Sequence, residues 1–300
     1  EQSKDWNKPV ISYSNNDCVF RKGSFAITSK NDNLIKSIYA FLISNLNSYY
    51  LFNISCAWGI GTRPAIRFDE EFLTLPYIEP KKNTKDDLIN LVNTFLSPFE
   101  KFHNSFNLGE PVRSETIFNE INLIIEKLYQ VKPFEKDIIN YFLDISRYQF
   151  QESKQDRIIR KVHNDKKVFE EYTEIFLNEF EKIYEEDFVH IDVYPLYHFI
   201  AINFRFEKEK SKKKINIVSS NGSSNEIELV FKALSNSISI SELAKDIYIQ
   251  KDIKGFEENS FYIIKPNEYK CWHRAMAWYD VAEIKEAIQD AELERLNNKN

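Results

Sequence analysis

From Leu34 onward, apolar residues return every three to four positions. Leu34, Ile38, Leu42 and Leu46 share one stripe, which predicts a helix capped by Asp32 or Asn33 and running to about Leu51. Ahead of it, Val10 to Tyr13 and Cys18 to Phe20 are short apolar runs bounded by Asn15, Asn16, Asp17 and Gly23, a pattern of small strands. Trp58 to Arg67, and Phe72 to Pro80 with its two prolines, read as loop and irregular strand. After a polar break at Lys81 to Thr84 the helical period dominates. Ile117, Ile121, Ile124 and Leu128 form one stripe, Phe134 to Tyr148 another, and Phe169, Tyr172, Phe176, Phe180 and Ile183 a third. Gln149 to Lys167 is highly charged and reads as a solvated helix or a linker. At Phe188 the pattern turns to strand. Phe188 to Tyr194 and Tyr197 to Phe206 flank Pro195 as a hairpin, with a third strand at Ile215 to Val218 between exposed turns. A helix near Glu226 to Leu234, a strand at Phe261 to Ile264 and a helix from about Asp280 to Leu296 complete the pattern. The predicted class is α+β, in three parts: a small mixed α/β part over 1–80, a helical spacer over 81–186, and a C-terminal α+β domain over 187–300 with a short antiparallel sheet.

Composition narrows the function classes. Of 300 residues, 43% are hydrophobic, enough to build a core, and only 6 are Gly, so a glycine-rich nucleotide cradle is not expected. Cys18, Cys56 and Cys271 are odd in number and never form CxxC, which predicts neither a disulfide framework nor a zinc ribbon and fits a reducing cytoplasm. No segment reaches the roughly 18 apolar residues of a membrane span, and no signal peptide opens the chain. The first residue is Glu1 rather than Met, and Trp6 to Tyr13 reads like mid-protein sequence, so a piece of a longer protein is expected. The net charge of −6 does not favour a polyanion partner by itself, but the acid is concentrated in 151–200.

Several constellations could carry chemistry. Gly59-Ile60-Gly61 is the only GxG, without a third glycine, and no Pro-Pro pair occurs, so the Asn/Asp-Pro-Pro-Tyr/Phe motif of adenine-N6 methyl transfer is absent. A metal nuclease needs an Asp and a Glu-x-Lys, so that carboxylates hold Mg²⁺ and the Lys assists the attacking water. Glu268-Tyr269-Lys270, with Asp252 upstream, is the best-placed match, against the alternative of a surface turn. His190 and Asp192 share a strand face near His198, as a metal pair or as a hydrogen-bonded histidine on a half-buried strand. For nucleic acid, Thr62, Arg63 and Arg67 beside the Gly59/Gly61 loop offer base or phosphate contacts. Lys208, Lys210, Lys212, Lys213 and Lys214 offer backbone contacts, or simply solubilise a hairpin end. Lys265, Lys270, Trp272, His273 and Arg274 mix basic and aromatic groups as a stacking surface would, with Trp272 and Trp278 equally readable as core anchors.

Three stretches resemble a known family. They are Phe41-Leu42-Ile43-Ser44-Asn45-Leu46-Asn47-Ser48 followed by Phe72-Leu73-Thr74-Leu75-Pro76-Tyr77-Ile78-Glu79-Pro80; Asn119 to Tyr129 with Val131 to Tyr148; and Phe261 to Ala275. Together they resemble the C-terminal, target-recognition and downstream region of bacterial adenine-N6 DNA methyltransferases of type II restriction-modification systems. The resemblance implies a DNA-binding specificity fragment for phage defence. Residues 1–80 would be the tail of a target-recognition domain, Arg63 and Arg67 would lie on the DNA-facing loop, and duplex DNA and the missing methyltransferase domain would be the partners. No cofactor is expected in the chain itself; S-adenosylmethionine would belong to the parent's catalytic domain. The alternatives are a metal-dependent nuclease or nuclease remnant using Glu268 and Lys270, and a protein-interaction module docking through the acidic helices at 167–187.

Overall fold

The computed structural model describes residues 11–15, 19, 25–55, 68–103, 114–149, 154–182, 188–197, 199–209, 214–218, 252–257 and 259–297. The chain divides into two compact units, Glu1–Phe150 and Gln151–Asn300.

The described part of the first unit is helical: α1 (Asp32–Ile43), α2 (Asn45–Ile54), a π-helical turn at Phe68–Phe72, α3 (Lys82–His103), α4 (Glu115–Leu128) and α5 (Pro133–Asp144). The single helix expected from Leu34 to Leu51 is two. Its cap is Asn31, whose side chain accepts from the Leu34 amide at 3.1 Å, rather than Asp32 or Asn33. The break falls at Ser44. Its hydroxyl donates to the Phe41 carbonyl at 2.7 Å and accepts from the Asn47 amide at 3.1 Å, so one side chain closes α1 and caps α2. Asn122 of α4 accepts the Asn45 amide at 2.8 Å, which fixes the break against a third helix. The core is Phe41, Leu42, Leu88, Val92, Phe95, Ile121 and Ile125. No strand forms at described residues 11–15.

The second unit carries a one-turn α6 (Gln155–Ile158) and α7 (Lys166–Phe180), then β1 (Phe188–Pro195), β2 (Phe199–Glu207), β3 (Ile215–Ile217), β4 (Ile253–Glu257), β5 (Ser260–Pro266), α8 (Tyr269–Trp272) and α9 (Arg274–Asn297). The protein is thus α+β, as its hydrophobic pattern predicts. The sheet runs β3-β1-β2-β5-β4. The hairpin β1/β2 forms about Pro195 as expected, in the register Asp192 opposite Asn203. The sheet is mixed, however, since β3 lies parallel to β1 while every other pair is antiparallel. β3 keeps the direction a meander would give it but crosses over to the free edge of β1 instead of pairing with β2, and that makes the pair parallel. The strand β4 is not legible in the sequence: Ile253-Lys254-Gly255-Phe256-Glu257 lacks an apolar alternation, and it pairs only because β5 supplies a partner. Gly255 is required there, because a Cβ would fall 2.1 Å from the Tyr262 ring that lies across it. The helix expected near Glu226 to Leu234 lies outside the described residues.

One face of the sheet packs on α7 and α9 through a phenylalanine cluster in which Phe176, Phe204 and Phe261 meet at ring separations of 4.3–6.1 Å. The helical stretch 81–186 therefore does not act as one spacer. α3 and α4 close the first core, whereas α7 belongs to the second, because its Phe169, Tyr172, Phe176 and Phe180 are buried against the strands.

Candidate functional site

Two places concentrate chemistry among the described residues, and both are assembled from separate elements. The first is where the residues flanking 56–67 meet. That stretch, with Gly59, Thr62, Arg63 and Arg67, lies outside the described residues, and the residues on either side of it are joined. α2 ends at Ile54, and the Ser55 hydroxyl donates to the Glu71 carboxylate in the π-helical turn at 2.8 Å, with both residues buried. Beyond that turn, Leu75 to Ile78 is pinned to α1 and α4. The Tyr129 hydroxyl donates to the Pro76 carbonyl and accepts from the Ile78 amide at 3.0 Å, and Tyr77 meets Ser37 at 2.6 Å. Phe41 stacks on Tyr129 with centroids 5.5 Å apart.

The second place is the interior of the second unit, where the Asp280 carboxylate on α9 gathers three donors. Tyr172 of α7 donates to it at 2.6 Å, the Lys265 ammonium on β5 bonds the same oxygen, and the Lys254 ammonium on β4 lies 3.0 Å from the other oxygen. Lys265 is 4% exposed and Asp280 2%. Lys254 continues outward to Glu283 and, at 3.4 Å, to Asp252. Burial pushes the Tyr172 hydroxyl well above its ordinary value of 10.0, and the Asp280 charge beside it pushes the same way. Burial works against the charged Lys254, but its bond to Glu283 and the charge of Asp280 outweigh it and hold its pKa above 10.5.

In both cases the folded state keeps a proton that the unfolded chain releases, so this stabilisation is complete below about pH 10 and is lost as the pH rises further. Urea midpoints of the second unit should begin to fall above about pH 9, where the Cys271 thiol, also pushed up by burial, titrates in the unfolded chain, and fall more steeply above about 10, less so in Tyr172→Phe. A midpoint constant to about pH 11.5 would contradict the assignment.

The residues singled out from sequence are scattered. Thr62, Arg63, Arg67, Lys210, Lys212 and Lys213 lie outside the described residues, as does His198. Lys214 pairs with Glu181 at 2.5 Å, Lys270 with Glu268 at 2.8 Å, and Arg274 holds the Glu171 carbonyl at 3.1 Å and the Glu174 carboxylate. The stacking surface expected over 265–274 is largely interior: Lys265 joins Asp280, Trp272 is fully buried with its indole donating to the Pro266 carbonyl at 2.9 Å, and His273 is buried. Trp272 is a core anchor because α8 turns it inward against Phe169 and Tyr172. In the Glu268/Lys270 arrangement the two side chains neutralise each other, and Asp252 is engaged by Lys254. Among the described residues no three His, Cys, Asp or Glu side chains converge as a metal site would require. His190 bonds the Glu209 carbonyl at 3.2 Å and faces Glu207, while Asp192 is held by Arg205 and Asn216. No helix among the described residues is long and apolar enough to cross a membrane. Compared with family models, curated proteins and solved structures, the chain matches none.

Proposed function

We propose that this chain is a DNA-binding specificity module of a restriction-modification adenine-N6 DNA methyltransferase. Its partners would be duplex DNA and a methyltransferase domain outside this sequence, which would bind S-adenosylmethionine. The observation that carries the reading is the way separate stretches of the family resemblance pack. Phe41 to Ser48 forms the junction of α1 and α2, Phe72 to Pro80 is held to α1 through Tyr77, and Tyr129, directly after α4, bonds the middle of that segment. Segments far apart in sequence thus build one body, in which Ser55 and Glu71, on either side of the stretch that carries Arg63 and Arg67, are hydrogen-bonded to each other. A scaffold of this kind suits DNA reading by the arginines between them, with phosphate contacts for position and a few side chains for bases.

The test is fluorescence anisotropy on a mixed duplex pool between about 50 and 200 mM salt, where phosphate contacts lose much of their strength. Arg63→Ala/Arg67→Ala should weaken binding and flatten the logarithmic salt slope by about 1 for each phosphate no longer neutralised. Absence of duplex binding at about 50 mM salt, or a slope unchanged in the double variant, would overturn the reading.

A further inference from the structure

The charged stretch after Lys154, which the sequence leaves as helix or linker, folds into a fixed surface. Asn267, fully buried after β5, accepts the Val162 and His163 amides at 2.7 and 3.1 Å. Its amide donates to the Leu196 and Tyr197 carbonyls at 3.2 and 2.9 Å and meets the His163 ring at 2.8 Å. The Tyr269 amide adds a bond to the Arg160 carbonyl at 3.0 Å. Three segments distant in sequence are thereby tied at one point, and their side chains emerge together.

What emerges alternates cations with rings. The Arg160 guanidinium lies 4.1 Å over the Tyr269 ring, and the Lys161 ammonium 5.8 Å over the ring of Tyr197. His163 meets Tyr197 edge-on at 5.5 Å. Tyr197 is 63% exposed, while its backbone is held by the Asn267 amide at 2.9 Å. The charge is segregated as well. Between 157 and 167 stand Arg157, Arg160, Lys161, Lys166 and Lys167 against Asp165 alone, although the surrounding 151–200 region is acidic overall. Asp165 pairs with Arg160, and Lys166 and Lys167 reach to Glu170 and Glu171 of α7. Among the described residues Lys161 makes no ion pair, so its charge is directed to the exposed ring beside it.

We infer that the Lys161/Tyr197 surface, with Arg160 and Tyr269 beside it, binds unpaired nucleotides of a nucleic-acid strand. An exposed tyrosine ring stacks on any base, and an ammonium held over that ring is placed to meet a neighbouring phosphate. The surface lies in the second unit and shares no residue with the Arg63/Arg67 loop, so it stands or falls separately from the duplex-binding proposal.

The probe is a fluorescein-labelled oligo(dT) strand of about 12 nucleotides, read by anisotropy at about 50 mM salt beside a duplex control. The full chain should bind the strand, Tyr197→Ala should lose about tenfold, in line with the cost of removing one stacking ring, and Tyr197→Phe should keep the affinity. Lys161→Ala should weaken binding and flatten its salt slope. Thermal unfolding of each variant distinguishes a weakened surface from an unfolded chain. No strand binding by the parent chain, or equal affinity in correctly folded Tyr197→Ala, would overturn the inference, whatever the duplex measurement shows.

Discussion

Asp280→Ala is expected to destabilise the second unit by about 3–5 kcal/mol, the range for removing one partner of a buried ion pair. The alanine leaves the Lys265 ammonium buried without its carboxylate, with the rings of Tyr172 and Trp272 at 5.8 and 5.9 Å. Lys254 suffers less, because Glu283 and Asp252 still reach it from the exposed side. The comparison that isolates the charge is Asp280→Leu/Lys265→Met/Tyr172→Phe, in which the buried pair is replaced by apolar side chains of similar volume and the hydroxyl that bonds Asp280 is removed with it. That variant should recover most of the loss, since a buried salt bridge adds little net stability over well-packed apolar groups. Urea denaturation followed by circular dichroism would check both. A loss below about 1 kcal/mol in Asp280→Ala would mean that the cluster is hydrated rather than buried.

Asn267→Ala should cost about 4 kcal/mol, because each buried amide left without an acceptor costs about 1–3 kcal/mol and two are orphaned at once. The Val162 and His163 amides lose their shared acceptor, and the Leu196 and Tyr197 carbonyls lose their donor. Asn267→Asp keeps the acceptor for the two amides but turns a carboxylate oxygen toward two carbonyls, so it should restore only part of the stability. Hydrogen exchange gives the sharper test: the Val162 and His163 amides should lose protection in Asn267→Ala, while amides in β1 and β2 keep theirs relative to global unfolding. Uniform loss across the unit would place the role of Asn267 in overall stability rather than in tying these segments together.

Much of the secondary structure is readable from apolar spacing alone, including α4, α5, α7, the β1/β2 hairpin and β5. Local chemistry also locates the α1/α2 break, since Ser44 stands three residues before Asn47 as a cap, but an unbroken apolar stripe from Leu34 to Leu46 masks it. The rest needs partners far away in sequence. Lys265 reads as a surface cation because lysine at the end of a strand ordinarily reaches water. It is buried only because β5 faces α9, where Asp280 stands 15 residues on. The highly charged stretch from Gln149 to Lys167 reads as a solvated helix or a linker, and its 160–163 part is fixed only through Asn267, on a distant part of the chain.

Period and composition by themselves determined that this chain is an α+β protein with helices dominating after Lys81, a hairpin at Pro195 and ample apolar residues for its cores. Those properties rest on contacts within a few residues and on burial, which alternation records directly. The tertiary structure alone decided that the helices divide between two cores, that β3 pairs parallel to β1, and which charged residues lie inside. These depend on which distant groups meet in a low-dielectric interior, where an unpaired charge is costly and a paired one is tolerated, and no local pattern encodes that pairing.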